Sequence, residues 1–510
     1  MIEKIMKTVK RGNKRKSKNI TIGAVIGFLL SCTAVVGADE YLYIKDDSGI
    51  QFSTDSTNGT DGDWSGSNPY EDVGNVWNEN TYVNNTALSG TDNGASGGGY
   101  GVKVEVGSEG VKFINNGAIS AESTSSNAHG IDNVAGLKIS LMNNGTISAS
   151  GDKAYTSGVS NSGTIENLDN SGIIVSTTSD AIAGVLSHGI YNNTGIIDKL
   201  NNSGKIIGSS YGVINFTKGV GYAKIGILSN TGVIHGNYSA LDNSSMESTI
   251  YAVNNYGTFI GKGSRTTSYG YGIWNMGPIV ELNNIGVIYG IKKAIYNQGG
   301  TIDTANNYGI LVNASDNLVY DGIINNMNNY GLVIRNEGVV IPITTGIGGE
   351  QDILFYDKDG KEVKRKMTIE NKTDATGNTS FEGNQTNKIL NVLKNTYKVT
   401  GLNAKVTGSI INAYGTAVVF EGKDKKLTLS GTIVNGGIED STKGIAISGS
   451  TNGDNLILHS GTVQYTNGSK GIQNTIVNGN IDMGDGDDTL TIGDGTIVNG
   501  TLDGGTGEDT

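Results

Sequence analysis

Asn161-Ser162-Gly163-Thr164-Ile165 and, nine residues on, Asn170-Ser171-Gly172-Ile173-Ile174 are two copies of one phrase, Asn-x-Gly-x-Ile. The phrase also reads Asn115-Asn116-Gly117-Ala118-Ile119 and Asn143-Asn144-Gly145-Thr146-Ile147. It returns at Asn193, Asn202, Asn230, Asn255, Asn275, Asn284, Asn307, Asn329 and Asn336, with Val, Leu or Phe at times in the last place. Paired copies recur along the chain, so Gly189 to Gly208 matches Gly272 to Gly290 in pattern. A repeat of roughly 20–30 residues built from short strands and Gly corners is the mark of a solenoid. Asn and Gly tolerate the left-handed backbone of a tight corner. The Thr-x-Ile that follows alternates polar and apolar, which sends Ile to one face. A strand so short buries its Ile only when stacked on the same strand of the next coil. The sequence therefore predicts a right-handed parallel β-helix over 113–344 and 399–510. Ile119, Ile147, Ile165, Ile174, Ile197, Ile206, Ile234 and Ile288 are expected to point inward, with the corner Asn amides bonding coil to coil.

The competing reading is disorder, given 78 Gly. Only 3 Pro occur, and Ile and Val recur at fixed phase, which linkers do not show. The Gly density excludes a helical fold. Charged residues are 17% and the net charge is −12, so the polar surface is mostly Asn, Ser and Thr and does not suit nucleic acid.

Residues 1–38 read as a signal peptide. Lys4, Lys7, Lys10, Arg11, Lys14, Arg15, Lys16 and Lys18 precede an apolar run from Ile20 to Leu30, and Val36-Gly37-Ala38 supplies small residues for cleavage. An uncleaved anchor and a lipoprotein with lipid on Cys32 are the alternatives. Cys32 is the only cysteine, so cleavage after Ala38 leaves stacking alone to stabilise the exported chain.

Residues 39–112 depart from the phrase and hold Tyr41, Tyr43, Phe52, Trp64, Tyr70, Trp77 and Tyr82. They read as the N-terminal cap that an open solenoid end requires, or else as a sugar-stacking platform. Residues 345–398 read as an insertion. Ile353 to Tyr356 and Val363 to Ile369 flank Asp357-Lys358-Asp359-Gly360, a hairpin signal. The hairpin is expected to project from the stack and to carry a binding surface of Phe355, Tyr356, Lys361, Lys364, Arg365 and Lys366. The plainer alternative is a solvated hairpin with no partner. Ile389 to Leu393 suits a short helix or a strand.

From 399 the phrase becomes Thr432-Ile433-Val434-Asn435-Gly436, repeated at Thr475 and Thr496. The spacings of 43 and 21 residues read as two coils and one. The phrase stops at Thr510 without a cap, which suggests a fragment. The four His are His129, His188, His235 and His459, and His129 and His188 read as corner residues. Asp47-Ser48-Gly49 is rejected as a protease turn because no His precedes it. Asp485, Asp487 and Asp488 resemble a calcium nonapeptide, but the copies lie 21 residues apart instead of nine, so an Asp/Gly turn is the favoured reading. No other cofactor is expected.

Signal, cysteine-free export, Asn-Gly-Thr-Ile coils and Asp-Thr-Leu-Thr-Ile coils together resemble the passenger of a type V (type Va) autotransporter. The chain is similar to the large β-helical surface adhesins of Gram-negative anaerobes, a likeness that covers essentially all of 1–510. The resemblance implies display at the cell surface or outer membrane, and attachment to host-cell or bacterial glycans or proteins without catalysis. The C-terminal β-barrel of the family is not found in the sequence, and no catalytic residues carry over. The alternative is a polysaccharide lyase or hydrolase on a β-helix. Such an enzyme needs clustered Asp, or Asp with Lys or Arg, where these coils carry Thr, Ser and Asn.

Overall fold

The computed structural model describes residues 42–510 except 47–49, 55–63, 93–97, 106–109, 125, 135, 137, 152–154, 179–185, 218, 220, 264–268, 315–319, 336–338, 342–349, 357–360, 373–378, 382, 393–395 and 439–443. Residues 1–38, which read as a signal peptide and include Cys32, lie outside the described residues, as do the Asp47-Ser48-Gly49 triplet and residues 357–360.

The chain forms two parallel β-solenoids packed side by side. In the first, each coil has three strands, as in Lys138–Asn143, Thr146–Gly151 and Thr156–Asn161. Each pairs in parallel with its counterpart one coil away: Ile147 lies beside Ile119 and Ile174, and Ile165 beside Ile197. All eight isoleucines expected to point inward are fully buried. The stack begins earlier than the sequence suggested, because Thr81–Asn84 already pairs with Val111–Asn115. At this end Phe52, Trp77, Tyr82 and Phe113 pack against the core, Phe52 meeting Trp77 edge to face and Tyr82 stacking on Phe113. The Phe52–Trp77 centroids are 5.2 Å apart and the Tyr82–Phe113 centroids 5.4 Å.

The corner asparagines form the expected ladders. One runs Asn84, Asn115, Asn143, Asn170, Asn202, Asn230, Asn255, Asn284, Asn307 and Asn329, each Nδ2 donating to the next Oδ1 at 2.7–2.9 Å. A second joins Asn133, Asn161, Asn192, Asn215, Asn243, Asn275 and Asn297. It uses Asn192 where the phrase suggested Asn193, because Thr194 adopts a positive φ of 59° and lengthens that corner. The reason for Gly differs from the expected one. Gly172, Gly204 and Gly232 have ordinary φ, but a Cβ on each would lie 2.0 Å from the carbonyl oxygen of the corner Gly one coil before. Stacking distance, not handedness, excludes a side chain there.

The second solenoid spans Glu350 to Thr510 and also has three strands per coil, for example Ile410–Ala413, Val418–Phe420 and Lys426–Ser430. The region read as an insertion belongs to it. Glu350–Tyr356 pairs antiparallel with Glu362–Lys372, whose end pairs in parallel with the strand Lys388–Val392. The 43-residue spacing is one coil, since Ile433 pairs directly with Ile476. That coil is lengthened by an antiparallel hairpin of Gly461–Gln464 and Lys470–Gln473.

The two solenoids run in opposite directions. On strands such as Ile433–Asn435, Val434 faces the inner core while Ile433 and Asn435 face the neighbour. Ile369, Ile389, Ile410, Ile433 and Ile476 pack with Ile285 and Tyr308, each isoleucine contributing roughly 1.5–3 kcal/mol by burial. The Asn391, Asn412, Asn435, Asn478 and Asn499 amides bond one another as a third ladder. Each also donates to a corner carbonyl of the first solenoid, those of Tyr330, Tyr308, Ile285, Tyr256 and Thr231, at 2.8–2.9 Å. Both stacks repeat at the inter-strand distance of about 4.8 Å, so the bonds stay in step.

Candidate functional site

Where the second solenoid ends its contact, a cleft of about 720 Å³ opens between the two. Its floor is the first solenoid: outward strand residues Asn167, Asp169, Lys199, Asn201, Ile227 and Ser229, and the corners Asn144, Ser171, Ser203 and Thr231. Its walls are Tyr256, Phe355, Tyr356 and Arg365, with Tyr465, Ile472 and Gln473 from the 461–473 hairpin. The floor side chains bond between coils. Asn144 Nδ2 donates to Asn116 Oδ1 at 2.9 Å, Ser171 Oγ to Asn144 Oδ1 at 2.9 Å, and Asn201 Nδ2 to Asp169 Oδ1 at 2.8 Å. The volume is that of a small-ligand site.

Of the six residues singled out on the hairpin, three reach this cleft. Phe355 is buried against Tyr256, with centroids 6.5 Å apart. The Tyr356 amide donates to Tyr256 Oη at 3.0 Å and its hydroxyl to Glu281 at 2.7 Å. Burial, and then that bond, raises the Tyr356 pKa. Arg365 is fully buried, its guanidinium 4.7 Å above the Phe355 ring. It donates to Gln473, Asn387 and the Gly408 carbonyl, while its Nε–H finds no partner. Burial lowers its pKa to about 10, so it remains a cation at neutral pH.

Lys361, Lys364 and Lys366 are exposed and do not line the cleft. Strand alternation separates them: Val363, Arg365 and Met367 turn inward, so Lys364 and Lys366 turn out. Lys366 meets Glu350 at 3.7 Å, an exposed pair. The basic aromatic projection is therefore two surfaces, one buried between solenoids and one solvated. The hairpin does not stand clear of the stack either, since the Thr466 amide donates to the Lys364 carbonyl at 2.8 Å and ties the 461–473 hairpin to it. That second hairpin was missed because its residues hid within an apparent two-coil spacing.

Asp485, Asp487 and Asp488 bridge coils. Asp485 Oδ1 accepts from Thr506 Oγ1, Asp487 Oδ1 from the Glu508 amide at 2.9 Å, and Asp488 Oδ1 from the Asp454 amide at 2.7 Å. Burial holds the Asp488 carboxyl above its usual range. Among the described residues no group of three or more His, Cys, Asp or Glu is placed to hold a metal ion. His129 and His188 are on strands rather than corners, in the column that includes Tyr100 and Tyr211. His188 stacks at 4.7 Å on Tyr191 and 5.7 Å on Tyr211, and burial lowers its pKa to about 3. In the same face Asp242 is fully buried, and burial, opposed by a hydrogen bond with Ser244, raises its pKa to about 8. Among the described residues no helix is long and apolar enough to cross a membrane. No protein-family model, curated protein or solved structure matches the chain.

Proposed function

We propose that the chain is the passenger of a surface-displayed adhesin of the autotransporter kind, exported through the inner membrane and attaching to cell-surface glycans or proteins without turning them over. The cleft carries this reading. Asn, Ser and Asp side chains on a rigid floor face aromatic and aliphatic walls, an arrangement that binds polar ligands by many modest contacts. A stacked scaffold holds such groups at fixed spacing, so little order is lost on binding.

The test is attachment of the purified, labelled protein to epithelial and bacterial cells. Saturable attachment is expected, weakened by Ser203→Tyr, which fills the cleft, and unchanged by Thr146→Asp outside it. The same protein incubated with a polysaccharide panel should release no reducing ends. Release that a single Asp or Glu substitution abolishes would establish an enzyme instead.

A further inference from the structure

The docking bonds show what the corner row of the first solenoid recognises. Each of Asn391, Asn412, Asn435, Asn478 and Asn499 offers a primary amide, one N–H going to a corner carbonyl and the other to the neighbouring Asn. The row continues past Thr231. The carbonyls of Ser203, Ser171 and Asn144 occupy the same place in their coils, line the cleft floor, and accept no bond from the described residues. Residue type changes one corner earlier. The covered corners carry Tyr256, Ile285, Tyr308 and Tyr330, the last bonded corner is Thr231 at the cleft edge, and the open cleft corners carry Asn144, Ser171 and Ser203. Polar corners suit a hydrated ligand and not another apolar sheet.

We propose that the cleft binds a glycan containing N-acetylated amino sugars, with an acetamido N–H donating to the carbonyl of Ser203 or Ser171. This rests on the adhesin reading of the same cleft and names its ligand. An acetamido group presents an amide N–H and C=O, as the docking asparagines do. Its methyl and the sugar's C–H faces meet Tyr256, Phe355 and Tyr465, while sugar hydroxyls meet Asn167, Asn201 and Ser229. An extended peptide fits less well, because its backbone carries no row of hydroxyls for the Asn and Ser side chains of the floor. A further β-coil is larger than the cleft and would set an apolar face on polar corners.

The experiment titrates the full chain with oligosaccharides of N-acetylglucosamine and N-acetylgalactosamine and with their de-N-acetylated counterparts. Binding is expected for the acetylated set, at least tenfold weaker after deacetylation. Ser203→Tyr should abolish it. The chain already folds with Tyr at this corner in Tyr256, Tyr308 and Tyr330. Ser203→Ile, which copies the corner at Ile285, provides a second block; unchanged thermal unfolding verifies both. Equal binding of both sugar sets, no binding of either, or binding that survives both variants overturns the proposal. If cell attachment nevertheless falls with Ser203→Tyr, the adhesin reading stands with another ligand. If attachment too is unaffected, both readings fall.

Discussion

Replacing Asn435 with Ala should detach the two solenoids locally. Its side chain is fully buried and makes three bonds: Nδ2 donates to the Ile285 carbonyl and to Asn412 Oδ1, each at 2.8 Å, and Oδ1 accepts from Asn478 Nδ2 at 2.6 Å. At about 1 kcal/mol net per bond the loss is about 3 kcal/mol, and orphaning the buried carbonyl and amide brings it to about 3–5 kcal/mol. Coils contact mainly their neighbours, so the effect should be local. Hydrogen exchange resolved by peptide should show faster exchange over 410–478 and at the corners 256–309, with residues 111–200 unchanged. Asn116→Ala is the control. Asn116 is an exposed member of an outer ladder, donating to Asn85 and accepting from Asn144, and should cost no more than about 0.5 kcal/mol. Equal protection in the two variants, or loss of protection spread over the whole chain, would refute the account of the interface.

Ile206→Asp should cost about 3 kcal/mol or more, because the charge has no partner in the core, whereas Thr146→Asp on the outward side should be nearly silent; limited proteolysis compares them. Gly204→Ala should open the Ser203 corner to protease, since its Cβ would lie 2.0 Å from the Gly172 oxygen; Gly299→Ala, with no atom within 4 Å but a φ of +81°, should show only the smaller cost of backbone strain. Asp242 has a pKa raised to about 8 by burial, so the folded state retains a proton that the unfolded state has released. Its contribution is fully present below about pH 4 and is lost as pH rises toward 8. Asp242→Asn should flatten that slope in thermal unfolding followed against pH, and an unchanged slope would contradict the burial argument.

Much of the fold was legible because stacking repeats its demands. Inward Ile206 and Ile234, the Asn ladder and the Gly corners each follow from one coil lying on another. The pairing of two solenoids was encoded more faintly. The x of Asn-x-Gly passes from Asn116, Asn144, Ser171, Ser203 and Thr231 to Tyr256, Ile285, Tyr308 and Tyr330, which marks a corner removed from water. The Ile-Val-Asn phrase departs from strict alternation because its strands are buried on both faces. Neither signal says which segment covers which. The cleft was half legible: Phe355, Tyr356 and Arg365 were marked by their chemistry, but the floor at Ser171 and Ser203 reads like every other corner. Lys364 and Lys366 were grouped with Arg365 by proximity in sequence, which strand alternation undoes.

Matched pitch across the interface carries a penalty of its own. Two racks with the same tooth spacing fit equally well after a shift of one tooth, so the Asn-to-carbonyl bonds alone leave the second solenoid free to settle one coil high or low. What breaks this translational degeneracy is the aperiodic part of the contact. Tyr256 meets Phe355 and Tyr356, and Glu281 holds the Tyr356 hydroxyl. Tyr256, Phe355 and Tyr356, which wall the cleft, are thus also the pins that index the two racks. Substituting them is expected to alter the alignment of the two solenoids, not only the local surface.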